Sequence, residues 1–95
     1  MPSITVQTAV VSGSANGKIA PNSTFDWLNT DTTRSYLVSE VGGWCADSSY
    51  SVPKAASPSS PGSISATTLN VSGSFSYSCP AWDKPGKPNI SIGAK

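Results

Sequence analysis

The chain has 95 residues, of which only 12% are charged, and a formal net charge of +1. That length holds one small domain with a modest core, and so little net charge leaves no electrostatic footprint for nucleic acid or an anionic membrane surface. With no histidine and two cysteines, Ser-His-Asp and Cys-His catalysis, histidine-based zinc sites and four-thiolate centres are all excluded.

No apolar run is long enough to span a bilayer or to act as the core of a secretory signal. The expected chain is therefore either cytosolic or what remains after a leader is removed, with no membrane partner. Short runs of Val, Ile, Thr and aromatic residues, split by Gly, Pro, Asn and Ser, predict an all-β domain without helices.

In chain order, Ser3 to Val11 reads as a first strand, with Ile4, Val6 and Val10 on one parity and facing inward. Gly13 to Gly17 is a turn whose glycines are free to take positive φ. Lys18-Ile19-Ala20 is a brief extended piece ended by Pro21. Thr24 to Leu28 is a strand with Phe25 and Trp27 on one face, and so regular an alternation makes Trp27 a core residue. After a polar turn, Arg34 to Val41 forms the next strand, with Tyr36 and Val38 opposite Leu37. Gly42-Gly43-Trp44-Cys45-Ala46-Asp47 breaks the regularity, and Ser49 to Val52 is a short edge strand stopped by Pro53. Ala55 to Ser63, small and rich in Pro and Ser, reads as an exposed loop. Ser65 to Val71 supplies another strand. Phe75 and Tyr77 then alternate with Ser74, Ser76 and Ser78 and deliver Cys79 into a Pro- and Gly-punctuated loop. Asn89 to Ile92 closes the sheet. Seven or eight short strands over residues 1–95 predict a single Greek-key β-sandwich.

Two stretches carry a family resemblance. One is Phe25-Asp26-Trp27-Leu28-Asn29, followed after a polar turn by Ser35-Tyr36-Leu37-Val38. The other is the strand, cysteine, short loop and strand from Gly73 to Ile92. Together they resemble the cupredoxins, the plastocyanin- and phytocyanin-type blue-copper β-sandwiches. The resemblance implies a cupredoxin-like fold. It also sets Ser35 where the family has its first histidine ligand, Cys79 at the thiolate, Trp82 or Asp83 near the second histidine, and Lys87 near the axial methionine. A type-1 copper site needs imidazole nitrogens beside the thiolate. With no histidine and the one methionine at position 1, no cofactor is expected, and Cys79 is only a weak candidate for holding a metal. Phytocyanins tie the loop after the first-histidine strand to the ligand loop, which implies a Cys45–Cys79 disulfide and, with it, an extracytoplasmic or secreted home. The alternative is two separate buried thiols that behave as small hydrophobes.

Trp44 and Trp82 sit in glycine- or proline-bounded loops beside the two cysteines. With Tyr36 and Tyr50 they are candidates for an aromatic patch that stacks on sugar rings or docks a protein. The competing role is a lid over the disulfide, as a tryptophan serves in immunoglobulin domains. Asp47 and Asp83 flank the same region and read as solvated loop carboxylates rather than an acid–base pair. Asn22-Ser23-Thr24, Asn70-Val71-Ser72 and Asn89-Ile90-Ser91 satisfy the glycosylation triplet, which is frequent by chance in so Ser-rich a chain. The expected role is not that of an enzyme but of a non-catalytic structural or binding module. Its partner would be an unidentified protein or glycan, and the chain itself a monomer or a weak edge-strand dimer. Two further expectations are a redox or metal-binding protein with an atypical copper site at Cys79, and a small carbohydrate-binding module that uses its loop tryptophans.

Overall fold

The computed structural model describes residues 2–14, 16–82 and 84–93. Eight strands carry its regular structure: β1 (Ser3–Thr5), β2 (Val10–Ser12), β3 (Thr24–Asn29), β4 (Tyr36–Ser39), β5 (Ser49–Val52), β6 (Gly62–Thr67), β7 (Gly73–Ser76) and β8 (Asn89–Ile92). None of the described residues is helical. The fold is all-β, as the short alternating runs predict.

A four-stranded sheet runs in the order β2-β1-β3-β6, while β4 pairs with β5 and β7 with β8. All pairings are antiparallel except β1 with β3, which are parallel. The two strand pairs are stitched to each other by Ser39 and Ser78. The Ser39 N–H donates to the Ser78 carbonyl at 2.8 Å and the Ser78 N–H donates back at 2.9 Å. On the far side of β8, Ile19 adds a parallel bridge to Ile92, with its N–H donating to the Ser91 carbonyl at 3.0 Å.

Period-two alternation decides which side chains go inside. Ile4 of β1, Phe25 and Trp27 of β3 and Ala66 of β6 are buried from the four-stranded sheet. They meet Val38, Tyr50, Val52, Ile90 and Ile92 from the two strand pairs, and Tyr77 just after β7. Trp27 is the centre of this contact. Its ring lies 5.0 Å from Tyr77, 5.3 Å from Phe25, 5.8 Å from Trp44 and 6.4 Å from Tyr50, centre to centre. Rings of this size bury more area than any other side chain, so the cluster dominates the driving force for folding. The Trp27 indole N–H has no hydrogen-bond acceptor among the described residues.

Several expected strands change shape; Arg34 to Val41, for one, is strand only over Tyr36–Ser39, ended where Glu40 takes a φ of +61°. Ser3 to Val11 is not one strand: the Thr8 and Ala9 N–H groups both donate to the Thr5 carbonyl, Ala9 takes a φ of +57°, and the chain folds back as β2. Val6 stays inside, but Val10 is 54% exposed, because the turn resets the parity that the sequence suggested. The later strand starts at Gly62 rather than Ser65 and ends before Leu69, so the exposed loop is shorter than the Ala55–Ser63 stretch. Gly62 has no room for a side chain. A Cβ there would run into the Pro53 carbonyl and stand 2.6 Å from that of Lys54, where the segment after β5 crosses the start of β6. Ala55, within the expected loop, is buried, and its N–H donates to the Asp31 carbonyl at 2.7 Å.

Candidate functional site

The residues singled out by the sequence converge on β4 and the segments around it. Continuing the antiparallel Ser39–Ser78 register places Cys79 across from Val38, within β4. Cys45 lies instead in the turn beyond the end of that strand. Its N–H donates to the Val41 carbonyl at 2.8 Å, and its backbone bridges to Thr68. Cys45 and Cys79 are free thiols rather than the disulfide that the phytocyanin resemblance implies, and an extracytoplasmic home has no support from that bond here. The residues follow the other course, two separate buried thiols, 1% and 7% exposed.

Burial also sets the chemistry of these thiols. It pushes the Cys45 thiol up to about 12, with a smaller push from the Asp47 carboxylate. It raises Cys79 as well, against the opposing pull of a backbone hydrogen bond from Ala81. Both are protonated thiols at neutral pH, whereas nucleophilic attack and metal ligation need the thiolate.

The aromatic patch is not assembled. Trp44 is 2% exposed. It stacks between Phe25 (centroids 6.0 Å apart, planes 13° apart) and Phe75 (6.3 Å, 24°), and its indole N–H donates to the Ser76 carbonyl at 3.1 Å. Tyr50 is buried too, its hydroxyl oxygen accepting the Asp47 N–H at 3.2 Å. Both are core residues, and Trp44 covers no disulfide. Tyr36 and Trp82 are half-buried and remain at the surface, each engaged locally. The Tyr36 hydroxyl donates to Asp31 at 2.6 Å, and the Arg34 guanidinium sits 5.3 Å over its ring. The Trp82 indole donates to the Gly86 carbonyl at 3.1 Å, with the Lys84 ammonium 5.3 Å over the ring. Gly86 takes a φ of +80° to close that loop, a conformation open to glycine at little strain.

The remaining positions carried over from the family do not fit a copper ion. Ser35 is an exposed hydroxyl, the Trp82 indole nitrogen donates a proton and offers no lone pair, and Lys87 is an ammonium. Lys87 pairs instead with Glu40 at 2.9 Å. Among the described residues no three His, Cys, Asp or Glu side chains gather closely enough to hold a metal. Asp83 lies outside the described residues, and Asp47 is exposed in the turn after Cys45.

The polar centre of this end of the molecule is a residue to which the sequence reading gave no role. Asn29 is fully buried. Its side-chain oxygen accepts from the Gln7 amide at 2.6 Å and the Asp31 N–H at 2.9 Å. Its amide nitrogen donates towards the carbonyls of Arg34 at 2.9 Å, Pro53 at 3.2 Å and Val52 at 3.5 Å. One side chain thus ties together the turn after β1, the β3–β4 connection and the end of β5, satisfying backbone groups that would otherwise be buried without partners. The available signal was parity: Asn29 follows Phe25 and Trp27 at the same inward-facing spacing. Next to it, hydrogen bonds from the Thr33 hydroxyl, the Tyr36 hydroxyl and the Thr33 N–H hold the Asp31 carboxyl far below the usual carboxylate range. The same bond to Asp31, reinforced by burial, raises the Tyr36 phenol.

No family model matches this chain, and neither a curated protein nor a solved structure is detectably similar to it.

Proposed function

We propose that this chain is a non-catalytic structural or binding module on a cupredoxin-like, Greek-key β-sandwich that has no copper site. Support for the fold comes from the order of its strands. The chain leaves the four-stranded sheet after β3 for the β4–β5 pair, returns in β6, and leaves again for β7 and β8, the kind of crossing between layers that Greek-key sandwiches use. Buried side chains from the four-stranded sheet and from the two strand pairs face one common core, as in a sandwich.

One observation carries the functional half. Of the positions that the resemblance gives to copper ligands, Trp82 is bonded to Gly86 and Lys87 to Glu40 within the protein, while Cys79 is a buried, protonated thiol. Such an end is closed for structure rather than held open for chemistry. The carbohydrate-binding alternative loses Trp44 and Tyr50 to the core and keeps a single tryptophan with a lysine over its ring, so a protein partner or a purely structural role is the better reading.

Copper titration followed by visible absorption tests the proposal. No intense thiolate-to-copper band is expected, and both thiols should remain titratable in denaturant afterwards. A band that appears with the parent protein and vanishes in Cys79→Ser would replace the proposal with the redox reading.

A further inference from the structure

The turn between β2 and Ile19 holds a chemically reactive pair. Asn16 is followed by Gly17, and it is the one asparagine of five in the chain with a glycine after it. Asn16 is exposed. An ideal Cβ built on Gly17 would meet nothing within 4 Å, and Gly17 sits at a φ of +70°. The space beside the Gly17 Cα is therefore open among the described residues. The Asn16 Oδ1 is also polarised, because the Lys18 N–H donates to it at 3.2 Å and the Ser14 hydroxyl lies 3.0 Å away. That hydroxyl stands between Oδ1 and the Lys18 carbonyl, 2.5 Å off, and is able to turn its single proton to Oδ1 as negative charge builds there.

We propose that Asn16 is a self-modification site at which the folded protein deamidates, with the Ser14 hydroxyl and the Lys18 N–H acting as donors to the developing oxyanion. The Gly17 nitrogen, giving up its proton to solvent base, bonds to Asn16 Cγ. The tetrahedral carbon then collapses with cleavage of the Cγ–Nδ2 bond, and Nδ2, taking one proton from solvent, leaves as ammonia. Water opens the resulting five-membered imide at either carbonyl, giving aspartate or isoaspartate. The donors act as in any site that stabilises an oxyanion: their bonds strengthen as Oδ1 becomes charged.

The other asparagines are protected by their surroundings. Asn29 is buried with both ends of its amide engaged, and Thr30 follows it. Asn70 and Asn89 precede the β-branched Val71 and Ile90, whose side chains crowd the attacking nitrogen. Asn22 precedes Ser23, whose N–H is tied to the Thr68 hydroxyl at 2.9 Å. The consequence of reaction at Asn16 is local but electrostatically visible, since one new carboxylate takes the formal net charge from +1 to zero. The isoaspartate product also lengthens the backbone just ahead of Ile19, which anchors this segment to β8.

The experiment ages the folded chain in mildly alkaline buffer and follows intact mass, peptide mapping and isoaspartate-specific methyl labelling. The first ammonia loss is expected at Asn16, with labelling at that residue, and Asn16→Gln should show neither. Ser14→Ala keeps the Asn-Gly pair but removes one donor, and should slow the reaction about fivefold, the rate equivalent of one solvent-exposed hydrogen bond. Reaction first at another asparagine, or Ser14→Ala ageing at the parental rate, would overturn the proposal.

Discussion

Gly42-Gly43-Trp44-Cys45 and Cys79-Pro80-Ala81-Trp82 look alike on paper, each a tryptophan beside a cysteine in a loop bounded by glycine or proline. In three dimensions they are opposites. The first loop folds its ring inward, between Phe25 and Phe75, and secures it with a hydrogen bond to Ser76. The second leaves its ring half-exposed and bonds it to Gly86, four residues on in the same loop. Local residue type was the same; the difference lies in whether other strands supplied a slot of the right shape. A tryptophan near a cysteine is therefore neither a patch nor a lid until its neighbours across the fold are known.

Breaking this contrast is straightforward. Trp44→Ala should cost about 3–5 kcal/mol, as expected for removing a large buried ring, whereas Trp82→Ala should cost less than about 1 kcal/mol. Urea unfolding of the two variants measures both, and equal losses would end the distinction. The finer version replaces each ring by phenylalanine. Trp44→Phe keeps an aromatic in the stack but strips the Ser76 carbonyl of its donor, for about 1–2 kcal/mol. Trp82→Phe should change stability by no more than about 0.5 kcal/mol.

The two thiols give a smaller contrast, read through pH. Burial raises Cys45, Cys79, Tyr50 and Tyr77 in the folded state. The native protein then holds these protons more tightly than the unfolded chain does. Their contribution is fully present below the ordinary thiol value of 9.0 and is lost as pH rises towards about 12 for Cys45. Stability should fall through the alkaline range, and less steeply in Cys45→Ala, measured as the change from its own neutral value. A parent curve that stays flat into strong alkali would contradict the burial of both thiols. On the acid side the sign reverses. Asp31 and Glu40 are held low by their partners, so what they contribute is lost as pH drops below the ordinary carboxylate values. In neutral buffer, alkylation should be slow at both cysteines and reach Cys79 first, the more exposed of the pair.

The smallest effect belongs to Lys87→Ala. Its partner Glu40 and the lysine itself are each 57% exposed, and pairs of this kind contribute little in water. No shift in the unfolding midpoint beyond experimental scatter is expected.

Much of the architecture was legible in the chain. Phe25 and Trp27 inside β3, Val38 inside β4, and the bounds of β5 and β8 all follow from alternation, because a strand with one buried face leaves a period of two in its sequence. The early chain was less legible. Ile4, Val6 and Val10 share a parity, yet a turn at Ala9, carried by a non-glycine residue at positive φ, puts Val10 on an exposed edge. No residue type announces that turn. At the candidate site, residue types removed histidine chemistry from consideration, but the sequence did not fix which side chains meet. Cys45 and Cys79 could be bonded or apart, and in the fold both are free thiols. Asn29 stood in plain view on an inward parity, and only its partners in three separate segments gave it a role.

What the sequence determined by itself is the period of its strands, the absence of imidazole and the identity of the large rings that must be buried, since each depends only on residue chemistry and near neighbours. The tertiary structure alone decided that both cysteines are free and buried, the inward turn of Trp44 against the outward one of Trp82, and the place of Asn29 as a buried tie. Those depend on how far apart in space distant segments come to rest. That distance is set by the register of one strand against another, where a single-residue slip would change every partner.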